Sequence, residues 1–303
     1  MLYKMEQPLV SIVTITRNRG KLIGRCIRSV LNQTYKNIEY IVVDGASDDE
    51  TDDVVSSFKD DRLKYIKLES NWPIAKTINY GVENSKGEFI TFLDSDDEYQ
   101  PTKVEKQLKK ILTLPKDYGM VYCWMTYFDQ ESMKIVREHK PMIKGDVSID
   151  VVEKPLVSGT PTYFFRRDAF IENGGWKDKD EIGIVSDWEL AARFCQTWKV
   201  DFVPESLINV YINHGVVRMS ENSYYTDLLE RQITFEKFFL NEFKHIFKKY
   251  PHKACSHWLT LSKALMLLGN FSEAWPYYIK VIRFRHSLKD ILLIPYCFFK
   301  KIK

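Results

Sequence analysis

The chain has 303 residues, 45% of them hydrophobic, which is enough for one α/β domain with a sizeable core and an appended region. Its 44 basic and 41 acidic residues give a formal charge of +3, a balance that argues against nucleic acid as a partner over the whole surface. The five cysteines are scattered and form no CxxC pair, which argues against a zinc site or a disulfide framework and favours reduced, mostly buried thiols.

The N-terminal sequence MLYKMEQPLVSIVTITRNRG lacks a long apolar run and a small-residue cleavage site, and the residues after Pro8 are typical of a strand. We therefore expect a protein that begins here and stays in the cytoplasm. No run of about 18 apolar residues occurs, so we expect no transmembrane helix. Attachment to the inner face of the cell membrane stays open.

Strands and helices alternate along the first third of the chain. Val10–Thr16 and Ile38–Asp44 are rich in β-branched residues, and the segment between them has apolar residues at helical spacing. A strand at 62–68, a helix at Ile74–Glu83 and a buried strand at 88–93 continue the pattern. This alternation predicts an α/β, Rossmann-like fold with a mostly parallel sheet, in which ligands bind beyond the carboxyl ends of the strands.

The rest of the chain is predicted to complete this sheet and then to become helical. The predicted elements are a helix at 101–114, strands at 120–128 and 162–166, and helices at 186–197, 224–250, 253–268 and 272–284. Gly269 and Asn270 mark a turn between the last two helices. We therefore divide the chain into an α/β domain at 1–222 and a C-terminal helical region at 223–303.

The segment FLDSDDEY places four polar residues, Asp94, Ser95, Asp96 and Asp97, directly after the buried strand. Carboxylates this close repel one another, and a solvated turn or a helix cap would explain an ordinary D-x-D. A strand that is apolar on both faces and ends in this cluster favours a metal site instead. Mg²⁺ or Mn²⁺ would neutralise the carboxylates and bind diphosphate oxygens in its remaining positions.

A second acidic segment, VVDGASDDET, ends the second predicted strand. Its first carboxylate, Asp44, could accept a hydrogen bond from a base N–H or a ribose hydroxyl. The chain has neither the G-x-G-x-x-G of a dinucleotide site after its first strand nor the G-x-x-x-x-G-K-S/T of a P-loop. The phosphates of a nucleotide therefore need another partner, and a divalent cation fits this need.

These segments together resemble the family 2 glycosyltransferases, whose members share the nucleotide-sugar-binding fold called GT-A. The resemblance covers about residues 8 to 220 and rests on the order and spacing of VSIVTITRNRG, SVLNQTYKNIEYIVVDGASDDET, INYGVENSKGEFITFLDSDDEY, FFRRDAFIENGGW and SDWELAAR. It implies a set of residues that contact the nucleotide sugar: Thr14, Thr16, Arg17, Asn18, Asp44, Asn79, Asp94 and Ser95. Asp44 would contact the base. Asp94 and Asp96 would form the D-x-D metal motif, with Asp96 the more direct ligand.

By the same resemblance Asp187 is the general base, because the family carries an acidic residue at the start of the corresponding helix. A carboxylate within about 3 Å of the acceptor hydroxyl can contribute about 10² to 10⁴ in rate by sharing its proton. A helix cap is the alternative role of Asp187, and the two roles can coexist. Many relatives have an acidic residue just before this Asp, whereas this chain has Ser186, and Glu189 is the next candidate for the base.

A second tier of residues matches positions near the donor or the acceptor. His214 follows a predicted strand and is a candidate metal ligand or phosphate contact, with Arg218 and Ser220 in a loop that could close on the donor. Arg166 is either part of the site or an ordinary surface charge. Trp176 is either a platform on which the acceptor stacks or part of the core.

The chain departs from the family pattern at three positions of the expected nucleotide pocket. Ile15, Arg17 and Gly45 stand where a proline, an aromatic residue and a second aspartate are frequent. These departures predict a reshaped pocket. The D-G-x-S variant around Gly45 is similar to that of transferases that build bacterial surface polysaccharides.

The combined features predict a metal-dependent, inverting glycosyltransferase of surface polysaccharide synthesis. It would move a sugar from a nucleotide-diphosphate donor to a hydroxyl of a glycan or a lipid-linked acceptor. UDP is the expected nucleotide, with dTDP and GDP as alternatives. A nucleotide-sugar-binding protein without turnover is one alternative, disfavoured because Asp44, Asp94, Asp96 and Asp187 are all present. A sugar-phosphate nucleotidyltransferase is the other, disfavoured because the sequence lacks a Gly-rich phosphate loop near its N-terminus.

The C-terminal sequence VIRFRHSLKDILLIPYCFFKKIK interleaves basic residues with apolar and aromatic ones. It predicts either a helix packed on the protein with a basic tail or a contact with an anionic membrane surface. In the second case 291–294 and 296–299 would enter the membrane interface. Pro295 argues against a single spanning helix.

Overall fold

The computed structural model describes residues 7–157, 159–178, 187–213, 215 and 225–285. Contacts group the chain into two compact units. The sheet unit comprises Met1–Val147, Leu156–Lys177 and Arg193–Val216, and the helical unit comprises Ser148–Pro155, Asp178–Ala192 and Val217–Lys303.

The helical unit includes two segments that lie before residue 223, Ser148–Pro155 and Asp178–Ala192. Aromatic packing explains why they group with the C-terminal helices, since the ring of Trp188 lies 5.1 Å from that of His257. The Nε2 atom of His257 also contacts the carbonyl oxygen of Val152 at 2.6 Å. The helical unit therefore extends beyond the C-terminal region that the sequence pattern outlined.

The described strands of the sheet unit form one mixed, nine-stranded sheet. They are Val10–Thr16 (β1), Ile38–Asp44 (β2), Leu63–Lys67 (β3), Phe89–Phe92 (β4), Glu98–Tyr99 (β5), Tyr118–Asp129 (β6), Ile135–His139 (β7), Phe164–Arg166 (β8) and Lys199–Ile212 (β9). Their order is β3-β2-β1-β4-β8-β6-β9-β5, with β7 paired to β6. The neighbours from β3 to β4 are parallel, as is the β6–β9 pair, whereas β8 is antiparallel to β4 and β6. The α/β architecture predicted from the sequence is confirmed.

Helices connect the strands of this sheet. They are Gly20–Leu31 (α1), Thr51–Ser56 (α2), Ile74–Glu83 (α3), Lys103–Leu112 (α4), Arg167–Glu172 (α5) and Asp187–Phe194 (α6), of which α6 begins in the helical unit. On α1, Ile23, Cys26, Ile27 and Val30 are fully buried, whereas Arg28 is exposed. Burial of each Ile or Val side chain contributes about 1.5–3 kcal/mol. This packing holds the strands, and therefore the loops that follow them, in fixed positions.

The helical unit contains Tyr225–Glu242 (α7), Lys244–Lys249 (α8), Cys255–Leu267 (α9) and Phe271–Arg285 (α10). The single helix predicted at 224–250 is wrong, because the chain breaks at Phe243, whose buried ring packs 4.6 Å from that of Phe239. The predicted turn after α9 is confirmed, since Gly269 has φ 83°, a conformation that suits glycine. No helix of the described residues is long and apolar enough to cross a membrane.

Candidate functional site

The carboxyl ends of β1, β2 and β4 lie side by side in the sheet unit. Thr16 at the end of β1 is opposite Asp44 at the end of β2, and Val13 of β1 is opposite Phe92 at the end of β4. Asp94 follows β4 by two residues. The two acidic segments therefore lie on either side of β1, at the edge where parallel sheets bind ligands.

Thr14 links β1 to the acidic segment after β4. Its fully buried hydroxyl donates to the carbonyl oxygen of Leu93 at 2.7 Å and accepts from the hydroxyl of Tyr40 at 3.1 Å. Both hydrogen bonds lie inside the protein. Thr14 therefore positions the residue before Asp94, and the structure does not bring its hydroxyl to the ligand edge.

The hydroxyl of Thr16 lies at this edge without a hydrogen-bond partner among the described residues. The residue is only 6% exposed. A buried polar group without a partner costs about 1–3 kcal/mol. The unsatisfied hydroxyl therefore indicates a position at which a ligand would complete the hydrogen bonding.

Asp44 is fully buried, and neighbouring donors hold its carboxylate in place. Its Oδ1 accepts from the Ser47 N–H at 2.9 Å and from the Ser47 hydroxyl at 2.6 Å, and its Oδ2 accepts from the Tyr65 hydroxyl at 2.5 Å. Burial, together with the bond to Asp44, raises the pKa of Tyr65 far above its ordinary value, so Tyr65 stays a donor. A carboxylate has about four acceptor sites, which leaves capacity for one more donor such as a base N–H.

The loops after β1 and β2 are tied to each other. The N–H of Asn18 donates to the Ser47 hydroxyl at 2.8 Å, and the Asn18 side-chain oxygen accepts from the N–H of Asp48 at 3.0 Å. Asn18 and Ala46 have φ values of 53° and 59°, in the left-handed region that is costly for alanine. Strained backbone of this kind clusters at binding sites. Arg17 is exposed beside these loops.

Gly45 is approached closely by the side chain of Asn71, which follows β3. A Cβ atom at this position would lie 2.9 Å from the side-chain oxygen of Asn71 and 3.6 Å from the carbonyl oxygen of Thr16. A side chain at position 45 would displace the end of the exposed Asn71 side chain, which occupies this space. Asn71 could not be found from the sequence, because a single Asn in a loop carries no motif.

Asp94 to Asp97 form a tight turn, closed by a hydrogen bond of 3.0 Å from the N–H of Asp97 to the carbonyl oxygen of Asp94. Asp94 is exposed and Asp96 is half-buried, whereas Ser95 and Asp97 are buried. The Asp97 carboxylate accepts from the N–H of Tyr211 at 3.3 Å and so faces β9. The turn therefore presents two carboxylates to solvent and uses the third to hold its own shape.

The described residues contain no cluster of three acidic, histidine or cysteine side chains arranged to hold a metal ion. Mg²⁺ is commonly bound through one or two carboxylates together with substrate phosphates and water. The carboxylates of Asp94 and Asp96 fit that mode, and Mn²⁺ accepts the same hard oxygen ligands. His214, the third candidate ligand, lies outside the described residues.

Asn79 and Trp176 contact each other in the sheet unit. The side-chain oxygen of Asn79 accepts from the N–H of Trp176 at 3.0 Å, and its amide nitrogen donates to the Trp176 carbonyl oxygen at 2.9 Å. Trp176 is 5% exposed, and its ring packs edge-on against Phe92. The Asn79 amide is therefore used to hold Trp176, and the burial of Trp176 favours its interpretation as a core residue.

Arg166 lies at the opposite end of β4 from the acidic turn. It pairs with Phe89, the first residue of β4, and its guanidinium donates to the carbonyl oxygens of Tyr118 and Ile111, each at 2.9 Å. The structure therefore does not bring Arg166 to the ligand edge. Its hydrogen bonds at the opposite end of β4 are structural.

Asp187 begins α6 in the helical unit and is half-buried. The next residue, Trp188, anchors the start of this helix through a hydrogen bond of 2.6 Å from its indole N–H to the carbonyl oxygen of Val151. Glu189 is 1% exposed, so Asp187 is the more accessible of the two candidate bases. Arg218 and Ser220 lie outside the described residues.

Sequence comparison matches residues 11–174, more than half of the chain, to Glycosyl transferase family 2. The chain therefore belongs to the family 2 glycosyltransferases. An uncharacterized glycosyltransferase of Rickettsia typhi is 30% identical over 209 residues, which cover 66% of this chain and 63% of that protein. TuaG of Bacillus subtilis, a glycosyltransferase assigned to teichuronic acid biosynthesis, is 37% identical over 105 residues, which cover 34% of this chain and 42% of TuaG. The chain thus spans less than two thirds of the length of either relative.

Two solved structures share the fold. S. aureus TarS 1-349 in complex with UDP-GlcNAc superposes with a TM-score of 0.62 at 15% identity, over 90% of this chain and 88% of that chain. The mannosyltransferase PcManGT from Pyrobaculum calidifontis, in complex with GDP-Man and Mn²⁺, superposes with a TM-score of 0.60 at 16% identity, over 96% of this chain and 80% of that chain. At these identities the likeness shows the fold alone. It confirms the predicted GT-A architecture.

Proposed function

We propose that this chain transfers a sugar from a nucleoside diphosphate donor to an acceptor hydroxyl, with inversion at the anomeric carbon. The observation that carries the proposal is the convergence of Asp44, Thr16 and Asp94 at one edge of the sheet unit. This edge offers a buried acceptor for a base, an unsatisfied hydroxyl and an exposed carboxylate. Membership of family 2 supplies the reaction class.

The proposed nucleotide is UDP. Asp44 accepts hydrogen bonds only, when ionised, and the donors from Ser47 and Tyr65 leave its carboxylate one further acceptor site. The imide N–H of uracil supplies such a donor, and thymine carries the same group. The fold itself accommodates different nucleotides, since TarS is complexed with UDP-GlcNAc and PcManGT with GDP-Man.

Asp94 and Asp96 are the residues proposed to hold Mg²⁺ or Mn²⁺ beside the diphosphate. When bound, such an ion supplies positive charge that stabilises the departing nucleoside diphosphate. The exposure of Asp94 and the partial exposure of Asp96 support this role, because both residues reach the surface at the ligand edge. PcManGT, which shares this fold, is complexed with Mn²⁺ together with GDP-Man, which supports the proposal.

Asp187 is the proposed general base. Its carboxylate takes the proton of the acceptor hydroxyl while the hydroxyl oxygen forms a bond to the anomeric carbon of the donor. The bond from that carbon to the diphosphate oxygen breaks, and its electron pair leaves with the nucleoside diphosphate. Attack from the opposite face inverts the configuration. The half-buried position of Asp187 supports this role, because part of the residue is exposed to solvent.

The proposed acceptor is a hydroxyl of a glycan or of a lipid-linked sugar in surface polysaccharide synthesis. The assignment of TuaG to teichuronic acid biosynthesis supports this class of acceptor. The D-G-x-S segment around Gly45 supports it independently, through its similarity to polysaccharide-building transferases.

A membrane contact of the helical unit would suit a lipid-linked acceptor, and we include it in the proposal. Phe271, Trp275 and Ile279 follow one another at four-residue spacing on α10 and are 38%, 49% and 49% exposed. Lys280 and Arg283 are exposed beside them. Apolar and aromatic side chains flanked by cations suit the headgroup region of an anionic membrane. The tail at 291–294 and 296–299 lies outside the described residues.

The proposal is tested by incubating the protein with UDP, dTDP and GDP sugars in the presence of Mn²⁺ or Mg²⁺. Thermal unfolding reports donor binding, because a ligand at about 100 times its Kd stabilises a protein by about 2.7 kcal/mol. We expect stabilisation and slow donor hydrolysis with UDP sugars. Absence of both with every donor would contradict the proposal. Release of pyrophosphate from a nucleoside triphosphate and a sugar phosphate would indicate a nucleotidyltransferase instead.

A further inference from the structure

A cation lies behind the turn that carries Asp94 and Asp96, and the proposed chemistry does not use it. Arg25 is on α1, and its Nη2 donates to the backbone carbonyl oxygen of Asp96 at 2.8 Å. Its Nη1 donates to the side-chain oxygen of Gln130, just after β6, at 2.8 Å. A single side chain therefore ties the acidic turn to the end of β6.

Tyr211, near the end of β9, completes this arrangement. The guanidinium carbon of Arg25 lies 3.6 Å from the centre of the Tyr211 ring, so the two planar groups are in contact. The N–H of Tyr211 donates to the Asp97 carboxylate at 3.3 Å, and its hydroxyl donates to the Glu98 carboxylate at 2.8 Å. Tyr211 therefore contacts both the arginine and the far side of the turn.

Arg25 carries a positive charge, but its described hydrogen bonds go to uncharged acceptors. The acceptors of its described hydrogen bonds are a carbonyl oxygen and an amide oxygen, neither of which is charged. Its Nε is buried and has no hydrogen-bond partner among the described residues. Because a guanidinium is always charged in proteins, a positive charge without a carboxylate bonded to it lies behind a turn that contains three carboxylates. Its attraction offsets part of their mutual repulsion.

We propose that Arg25 is a positioning residue of the donor site. With Tyr211, it holds the turn from Asp94 to Asp97 in the shape in which Asp94 and Asp96 meet the diphosphate. This inference rests on the proposed function. Because Arg25 bonds to the backbone carbonyl of Asp96, its hydrogen bond does not use the Asp96 carboxylate, while its charge lowers the repulsion within the turn. Lysine could supply the charge, but it lacks the planar fork that bonds to two acceptors and stacks on a ring.

The test measures binding, by titrating UDP and Mn²⁺ into wild-type protein and the variants Arg25→Met and Arg25→Lys. We expect the Kd of UDP to rise about tenfold in Arg25→Met and to recover only partly in Arg25→Lys, because the charge returns without the fork. The affinity for Mn²⁺ in the presence of UDP should fall in parallel. Arg28→Met is the matched control, since Arg28 is exposed on the same helix and should tolerate the change.

Tyr211→Leu tests the same inference by a second route, because it removes the ring and leaves Arg25 in place. It should also weaken UDP binding. If Arg25→Met does not fold, Tyr211→Leu and Arg25→Lys together test the role of Arg25. In turnover assays the KM for the donor should rise by a larger factor than kcat falls. Wild-type affinity for UDP and Mn²⁺ in the folded variants would overturn the role of Arg25. Failure of the wild-type protein itself to bind any donor nucleotide would overturn the proposed function and this inference together.

Discussion

Replacement of Tyr65 by phenylalanine removes one hydroxyl group and tests whether Asp44 is held in place as a buried acceptor. In the wild-type protein this hydroxyl lies 2.5 Å from Oδ2 of Asp44, which is fully buried. Phenylalanine keeps the aromatic ring, so the change is confined to the hydrogen bond. Ser47 still donates two hydrogen bonds to Oδ1.

The size of the effect follows from the burial of Asp44. Loss of a hydrogen bond to a buried charged group costs about 1.5–3 kcal/mol. At about 2–4 °C per kcal/mol for domains of this size, the melting temperature should fall by about 3–12 °C. UDP binding should weaken as well, because the carboxylate that is proposed to contact the base is no longer held on both sides.

The assay is thermal unfolding of Tyr65→Phe beside Tyr35→Phe. The control loses a hydrogen bond to the neutral carbonyl oxygen of Pro8, which should cost only about 0.5–1.5 kcal/mol. The pKa of Tyr65 is raised in the folded protein by burial and by Asp44, so its contribution to stability is complete below about pH 10 and is lost as the pH rises further. Tyr65→Phe should therefore flatten the decline in stability at alkaline pH. Equal loss of stability and UDP affinity in the two variants would refute this reasoning.

Asp187→Asn should keep UDP binding and thermal stability but lose at least about 10² in transfer rate, because the amide can cap α6 and cannot accept a proton. Near-normal turnover would assign the base to another residue, with Glu189 the next to test. Burial lowers the pKa of Lys103 to about 7, so wild-type stability should rise with pH between about 7 and 10, where the unfolded chain binds one more proton. Lys103→Met should remove this rise, and an unchanged slope would contradict the assignment. Trp275→Glu should reduce sedimentation with anionic vesicles at low salt and leave donor hydrolysis intact, whereas Ile171→Glu, at a residue 54% exposed in the sheet unit, is the control and should have no effect. Equal sedimentation of Trp275→Glu and wild-type protein would contradict the membrane contact.

Local sequence patterns predicted the elements that form the ligand edge. β1, β2 and α3 have the predicted bounds, because the two strands are short runs rich in β-branched residues and the apolar residues of α3 fall at helical spacing. β9 extends through Pro204, which breaks such a pattern. The structure accommodates this proline with a register shift, since Val203 is opposite Cys123 and Ser206 is opposite Trp124. The full length of β9 could not be predicted, because a proline is tolerated in a strand only where the partner strand allows an irregularity.

The positions of Asp44 and Asp94 in the fold could be predicted, but the residues that hold them could not. Asp44 and Asp94 follow strands that the sequence pattern identifies, and this places them at one edge. Tyr65 reaches Asp44 from β3, Arg25 reaches the acidic turn from α1, and Tyr211 reaches it from β9. Each of these contacts joins elements that are far apart along the chain. A tyrosine or an arginine in such a position has no local motif, so its role becomes visible only in the packed structure.

The most direct test of the donor site is a calorimetric titration of UDP in the presence of Mn²⁺ into wild-type protein and Asp96→Ala. We expect the wild-type protein to bind UDP and to lose this binding when a chelator removes the ion. Asp96→Ala should also fail to bind UDP, because one missing carboxylate leaves the cation under-coordinated and the diphosphate charge unopposed. Asp117→Ala is the control, since this carboxylate is 52% exposed and pairs with Lys199. It should bind UDP as the wild-type protein does. The assignment of this edge as a metal-assisted nucleotide-sugar site would be contradicted if the affinity for UDP were the same in three samples. These are the wild-type protein, the wild-type protein with chelator, and Asp96→Ala.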